Sequence, residues 1–204
     1  MPRPANPLVR EGLLAAGLRL IHTNGFNGCG IKEITDGAGV PKGSFYSYFA
    51  SKEDFAVEVL EHYWASVDRD FGFHLRDASK PPVDRVTAFF VAMTDHNAER
   101  EFALGCFVGN MSLELADHSA DVRKKLDHIM ARWTGLIAAC VREARADGTL
   151  PADDTSPEDL AFVVLEAWEG AVMQGRVGQR RDAYERFVTV ALPRLLGTRA
   201  ASPK

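Results

Sequence analysis

Apolar residues along this chain recur at steps of three and four, the period of helices, and nowhere alternate as strands do. Asn6 and Pro7 open a first helix as cap and first position, and Leu13, Ala16, Gly17, Leu20 and Ile21 form its apolar stripe before Gly25 ends it. Phe26 is expected to pack beneath the segment that follows. Ile31, Ile34 and Ala38 share one face of a short helix, which Gly39 ends because a residue without Cβ takes positive φ without strain. Pro41 opens a second helix at a position where no N–H needs a partner, and this helix carries Phe45 and Phe49 on one face. Ser51 then caps a helix predicted from Lys52 to about Leu75, with Asp54 at the capping-box position.

The rest of the pattern is helical too. Pro81 and Pro82 break the chain before a helix of about Val83 to Glu101, and Gly105 marks a shorter one reaching roughly His118. Val122, Leu126, Ile129, Trp133, Leu136, Ile137, Cys140 and Ala144 repeat along the longest predicted helix, until Gly148 and Pro151 end it. Ser156, Pro157 and Asp159 make the next start, followed by Leu160, Val163, Val164, Ala167, Trp168, Ala171 and Val172 on one broad face. A last helix from about Asp182 to Leu196 carries Phe187, Val190, Ala191 and Leu195, with Pro193 producing a kink or an early end. The predicted fold is all-α with about nine helices, without internal repeat or low-complexity tract.

Two short helices joined by a tight turn, from Ile31 to Phe49, describe a helix-turn-helix. Burying Phe45 and Phe49 leaves Lys42, Gly43, Ser44, Tyr46 and Tyr48 to point elsewhere. An ammonium and hydroxyls reach phosphate oxygens or base edges, and Gly43 permits close backbone approach. Lys52 stands in the first turn of the next helix, where exposed backbone N–H groups also favour an anion.

The string AGVPKGSFYSYFASKEDF resembles the TetR family of bacterial transcriptional regulators, whose typical segment runs AGV, a polar pair, GS or GT, an aromatic or leucine, then Tyr and a second aromatic before SKE. The resemblance implies an all-helical dimer with three N-terminal helices for DNA and a larger C-terminal half for ligand binding and dimerisation. Such proteins are usually repressors that a ligand releases from DNA. Position by position, it makes Lys42, Gly43 and Ser44 groove-facing residues, and Tyr46, Tyr48, Lys52 and Lys32 phosphate contacts. Gly30 departs from the pattern, since many members carry a Ser or Thr cap there. The implied domains are residues 1–52 for DNA and 53–204 for effector and dimerisation.

Charge divides along the same line. Residues 1–52 hold six Lys or Arg against three Asp or Glu, a balance of +3, and residues 53–204 hold 18 against 25, a balance of −7, which together give the net −4. The basic end suits phosphate, where counterion release supplies affinity, and the acidic surface stays away from the duplex. Arg3, ahead of Pro4, is placed to reach a minor groove as an extended arm. The longest apolar run is six residues and no secretory signal is visible, so a cytoplasmic protein is expected. Cys29, Cys106 and Cys140 are odd in number and widely spaced, which argues against a disulfide framework and a CxxC metal site. The six histidines show no HExxH spacing, and no Ser or Cys sits in a recognised nucleophile motif, so neither an enzyme nor a metal or cofactor site is expected. An architectural DNA-binding protein without effector and a thiol-dependent enzyme are the alternative readings.

In the C-terminal half, Trp64, Met93, Trp133 and Trp168 are candidates to line an apolar effector pocket between helices. GCFVGNMSLELAD places Cys106 and Asn110 four apart on one predicted helix face. That stretch and WEGAVMQGRV, from Trp168 to Val177, resemble a subgroup of these regulators in which some members sense electrophiles or oxidants through a cysteine. Exposed N–H groups at a helix start would favour the Cys106 thiolate. Where some relatives carry a lysine, this chain has Gln174, Gly175 and Arg176. Ala167, Gly170 and Ala171 are expected to let two late helices pair with their copies across a two-fold axis as a four-helix bundle.

Overall fold

The structure is a computed structural model that describes residues 6–198, so the proposed arm at Arg3 lies outside the described residues. The chain is all-α: α1 Pro7–Asn24, α2 Ile31–Gly37, a 3-10 helix Lys42–Ser47, α3 Lys52–Asp70, α4 Gly72–Arg76, α5 Pro82–Ala98, α6 Phe107–Leu115, α7 Ala120–Ala146, α8 Pro157–Gly178, α9 Asp182–Arg186, a π-helical turn Phe187–Ala191 and α10 Leu192–Leu195. No strand is present among the described residues.

The starts follow cap chemistry. The Asn6 side chain accepts from the Leu8 N–H at 3.0 Å, with Pro7 in the first turn, and Ser156 Oγ accepts from the Asp159 N–H at 2.9 Å ahead of Pro157. Ser51 Oγ accepts from the Asp54 N–H at 2.9 Å, and the Asp54 carboxylate accepts from the Ala50 N–H at 3.1 Å. Gly25 ends α1 at φ 80°.

Five boundaries differ from the sequence reading. The segment expected as an α-helix over Pro41–Phe49 is a 3-10 helix over Lys42–Ser47, held by i to i−3 bonds such as Ser44 N–H to Pro41 O at 2.9 Å and Tyr48 N–H to Phe45 O at 3.0 Å. Gly43, Ser44 and Ser47 are poor helix formers, so the tighter winding has little α-propensity to overcome. The helix expected from Lys52 to Leu75 breaks at Phe71, where φ is −129°, and Gly72 leaves room for the Arg76–Asp68 ion pair to close over it. Glu101 and Phe102 take φ of 52° and 58°, so α5 stops at Ala98, and Gly105 at φ 69° delays α6 to Phe107. The last helix is interrupted by the π turn just before Pro193, which has no N–H to continue the ladder.

Two compact units result, one of Met1–Ser66 with Phe107–Ile129, the other of Val67–Cys106 with Met130–Lys204. In the first, Phe45, Phe49 and Phe55 are buried in mutual contact, with Phe49 and Phe55 ring centroids 4.8 Å apart. Gly17 permits this, since a Cβ there would lie 2.2 Å from Phe55 Cζ. Each buried phenylalanine contributes about 1.5–3 kcal/mol by leaving water, and each ring pair about 0.5–1.5 kcal/mol more. In the second unit the core is a run of rings, Phe90, Trp168, Phe187 and Tyr184, with Trp168 5.0 Å from Phe90 and 5.4 Å from Tyr184. Arg85, nearly buried, donates to Glu143 at 2.7 Å and to the Lys80 carbonyl at 2.8 Å, which satisfies its charge.

Candidate functional site

The candidate reading segment, from Lys42 to Phe49, is built on its two phenylalanines. Phe45 is 0% and Phe49 2% exposed, which anchors a stretch that buries nothing else fully, and Tyr46 is left 59% exposed. Lys42 and Gly43 are exposed and Ser44 half-buried, so the three residues assigned to the groove share an open surface. Gly39 turns the chain at φ 68°, and the Val40 N–H donates to Thr35 O at 3.0 Å, which holds the segment against the end of α2.

The candidate phosphate contacts each have their own surroundings. The Tyr48 hydroxyl oxygen accepts from the Asn6 N–H at 3.1 Å and keeps its own O–H as a donor. Lys32 is 73% exposed and pairs with Asp36 at 2.6 Å, which raises the ammonium's pKa through hydrogen bond and charge. Gly30 has no side chain to cap α2, and the Glu33 carboxylate supplies the return half of the cap by accepting the Gly30 N–H at 2.6 Å. Lys52 is half-buried, with its ammonium donating to the Phe26 carbonyl and standing 4.0 Å from the centre of the Phe26 ring. A groove of about 450 Å³ lies near the start of α3, between Ser51, Glu53 and Asp54 and the residues Asp121, Lys124 and Lys125. Its opposed charges leave no cationic surplus for phosphate.

The effector candidates divide between the two units. Trp64 and Asn110 fall in the first, and Met93, Cys106, Trp133 and Trp168 in the second. All four apolar candidates are buried, Trp133 standing 6.2 Å from Phe89. Cys106 immediately precedes the first turn of α6 rather than lying on its face beside Asn110, because helix winding starts at Phe107. Its buried thiol hydrogen-bonds the Glu169 carboxyl of α8. Burial raises the Glu169 pKa and the thiol contact opposes that shift. Tyr184 faces the same pair, and burial, with the Glu169 and Cys106 charges adding to it, pushes the phenol up to about 12. The Tyr184 hydroxyl is buried without a hydrogen-bond partner in the structure. Glu169 and Tyr184 were not among the sequence candidates. The other thiols are ordinary core groups: burial raises Cys29, and raises Cys140 to about 11 while its Sγ–H points at Leu75 O, 3.3 Å away. Among the described residues no group of His, Cys, Asp and Glu is placed to hold a metal ion.

Several apolar side chains of α8 stay uncovered, Phe162 at 43%, Met173 at 61% and Val177 at 83% exposed, with the exposed Glu166 among them. Beside them an open groove of about 280 Å³ is lined by Ala167, Gly170, Ala171, Gln174 and Val190.

The sequence profile of the tetR family of bacterial regulatory proteins matches residues 13–59, and that of the tetracyclin repressor-like C-terminal domain matches residues 82–191. The chain is 34% identical over 188 residues to the HTH-type transcriptional repressor DhaR of Mycobacterium sp. (strain GP1), covering 92% of each chain. It is 31% identical over 176 residues to the HTH-type transcriptional repressor NemR of Escherichia coli (strain K12), covering 86% of this chain and 88% of that one. Among solved structures, the regulatory protein TetR from Rhodobacter sphaeroides superimposes with a TM-score of 0.83 at 32% identity, over 92% of this chain and 98% of that one.

Proposed function

Because the chain belongs to the tetR family of bacterial regulatory proteins, we propose that it is a repressor that leaves a palindromic operator when a small effector binds. The observation that carries this reading is the open surface of Lys42, Gly43, Ser44 and Tyr46 above a fully buried Phe45 and Phe49. Residues 1–52 form the DNA-reading domain, with Lys42, Gly43 and Ser44 toward base edges and Lys32, Tyr46, Tyr48 and Lys52 toward phosphate. Residues 53–204 take up the effector and pair two copies. The uncovered apolar side chains of α8 and the Ala- and Gly-lined groove beside them support that pairing, which sets two reading heads on half-sites about one DNA turn, ~34 Å, apart. No helix among the described residues is long and apolar enough to cross a membrane. We place the protein in the cytoplasm, where operators are.

The effector is a small apolar or electrophilic molecule. The aromatic run around Trp168 favours an apolar body, and the Cys106–Glu169–Tyr184 group supplies a thiol, a carboxyl and an unpartnered hydroxyl for its polar end. Covalent capture at Cys106 is the variant in which the effector is an electrophile. It is tested by challenging Cys106→Ser with N-ethylmaleimide: loss of release relative to the wild type supports it, and unaltered release contradicts it. The repressor reading is tested by selecting bound duplexes from a random pool. An enriched palindrome supports it, and equal recovery of all sequences marks an architectural DNA-binding protein instead.

A further inference from the structure

The turn between α1 and α2 is held from both sides by charge. Glu114, near the end of α6, uses both carboxylate oxygens on it: Oε1 accepts from the Phe26 N–H at 3.1 Å and Oε2 from the Asn27 N–H at 3.0 Å. The carbonyl of Phe26 accepts from the Lys52 ammonium. The Phe26 carbonyl and the Asn27 N–H belong to one peptide group, so a single backbone amide stands between a carboxylate and an ammonium. Its dipole is aligned with both, and each charge strengthens the hydrogen bond made by the other. The Phe26 ring, 3% exposed, completes the seat under the ammonium at 4.0 Å. Gly25 belongs to the same device, since its φ of 80° and the 2.9 Å that a Cβ there would leave to Glu114 Oε1 reserve the space for the carboxylate.

We infer that Glu114 is a positioning residue for DNA binding: it fixes the Phe26–Asn27 peptide so that this peptide holds Lys52 ready for a phosphate. An ammonium has three donors, and the Phe26 carbonyl occupies one, leaving two for phosphate oxygens. A long flexible lysine seated this way loses less freedom when the duplex arrives. The inference rests on the reading of Lys52 as a phosphate contact. It also gives an acidic residue outside the reading domain a favourable part in binding a polyanion, the opposite of what its charge alone predicts.

The test is a double-mutant cycle on duplex affinity as a function of salt, with Lys52→Ala, Glu114→Gln and the pair, using a random-sequence duplex as probe. Glu114→Gln keeps the size but meets one of the two N–H groups with an amide nitrogen. Its loss of a negative charge would by itself tighten DNA binding, so a weakening reports position. The expected result is that Lys52→Ala weakens binding and lowers the salt slope by about one. Glu114→Gln should weaken binding by roughly 3- to 10-fold, lower the slope in the same direction and cost less than about 2-fold more when Lys52 is already Ala. Glu114→Asp, which retracts the carboxylate but keeps its charge, should weaken binding as well, and amide exchange across residues 25–28 should quicken in both Glu114 variants. If Lys52→Ala changes neither affinity nor slope, the phosphate reading of Lys52 fails and the inference with it. If Lys52→Ala weakens binding but the Glu114 variants bind as the wild type does, bind more tightly, or lose equally in both backgrounds, the inference alone is overturned.

Discussion

Lys42 and Ser44 differ from Lys52 in what surrounds them, and under the proposed function this should separate their effects on binding. Lys42 stands exposed on the reading surface, and Lys52 sits half-buried on Phe26 at the start of a long helix. Lys42→Ala and Ser44→Ala are therefore expected to narrow the gap between operator and random duplex by ~1–3 kcal/mol each, whereas Lys52→Ala lowers both affinities together; competition titrations check this. Among the carboxyl groups that burial shifts, Glu169 gives a stability consequence in the acid to neutral range. Its raised pKa means that the fold favours the neutral acid, so its contribution is fully present below the usual 4.5 and is lost as pH rises through the folded value. Urea midpoints should show Glu169→Gln level with the wild type in acid and progressively ahead of it toward neutrality; a difference independent of pH contradicts the assignment. The open surface of Lys42, Gly43 and Tyr46 over a buried Phe45 and Phe49 was legible because a helical period and a glycine turn are local signals. Glu169, Tyr184 and Glu114 were not, because each acts through a partner far along the chain, Glu114 reaching across 88 residues to Phe26.

Three helix starts in this chain follow from single side chains, and helix interruptions follow from packing. Asn6, Ser51 and Ser156 each accept a backbone N–H as their residue types require, and the sequence reading located all three. Asn6→Ala should cost ~1 kcal/mol in a denaturation curve, mostly through α1. The breaks at Phe71 and in the π turn before Pro193 were only partly legible: a proline announces that a ladder must fail but not how the chain absorbs it, and the break beside Gly72 is closed over by the Asp68–Arg76 pair. The reading segment was expected as α and winds as 3-10, yet Phe45 and Phe49 still share the core, because the i to i−4 bond from Phe49 N–H to Phe45 O survives at 3.1 Å. Packing also sets the price at Gly17: Gly17→Ala forces a methyl against Phe55 and should destabilise the protein by ~1–3 kcal/mol or more, with DNA binding lost in step as α1 and α3 are pushed apart.

At the scale of the molecule, the chain joins a basic N-terminal stretch to an acidic remainder and leaves apolar side chains of α8 uncovered. Pairing through those side chains should give a dimer at micromolar concentration by sedimentation, and Met173→Glu with Val177→Glu should give a folded monomer whose operator affinity falls steeply, since each head then binds alone. Effector release by ~100-fold requires ~2.7 kcal/mol of coupling between the two sites, which an effector supplies only through its difference in affinity for the two states. α3, Lys52–Asp70, runs unbroken from the reading end past the boundary at Ser66 and is the element expected to carry that coupling. All of this presupposes that the open side of the segment from Lys42 to Tyr48 meets bases. The measurement that tests it most directly is the ratio of affinities for the selected palindrome and a random duplex, in the wild type and in Lys42→Ala with Ser44→Ala. The account predicts a ratio of at least ~1000 that falls ~10-fold or more in the double variant. A wild-type ratio near one, or a ratio that the double substitution leaves unchanged, contradicts it.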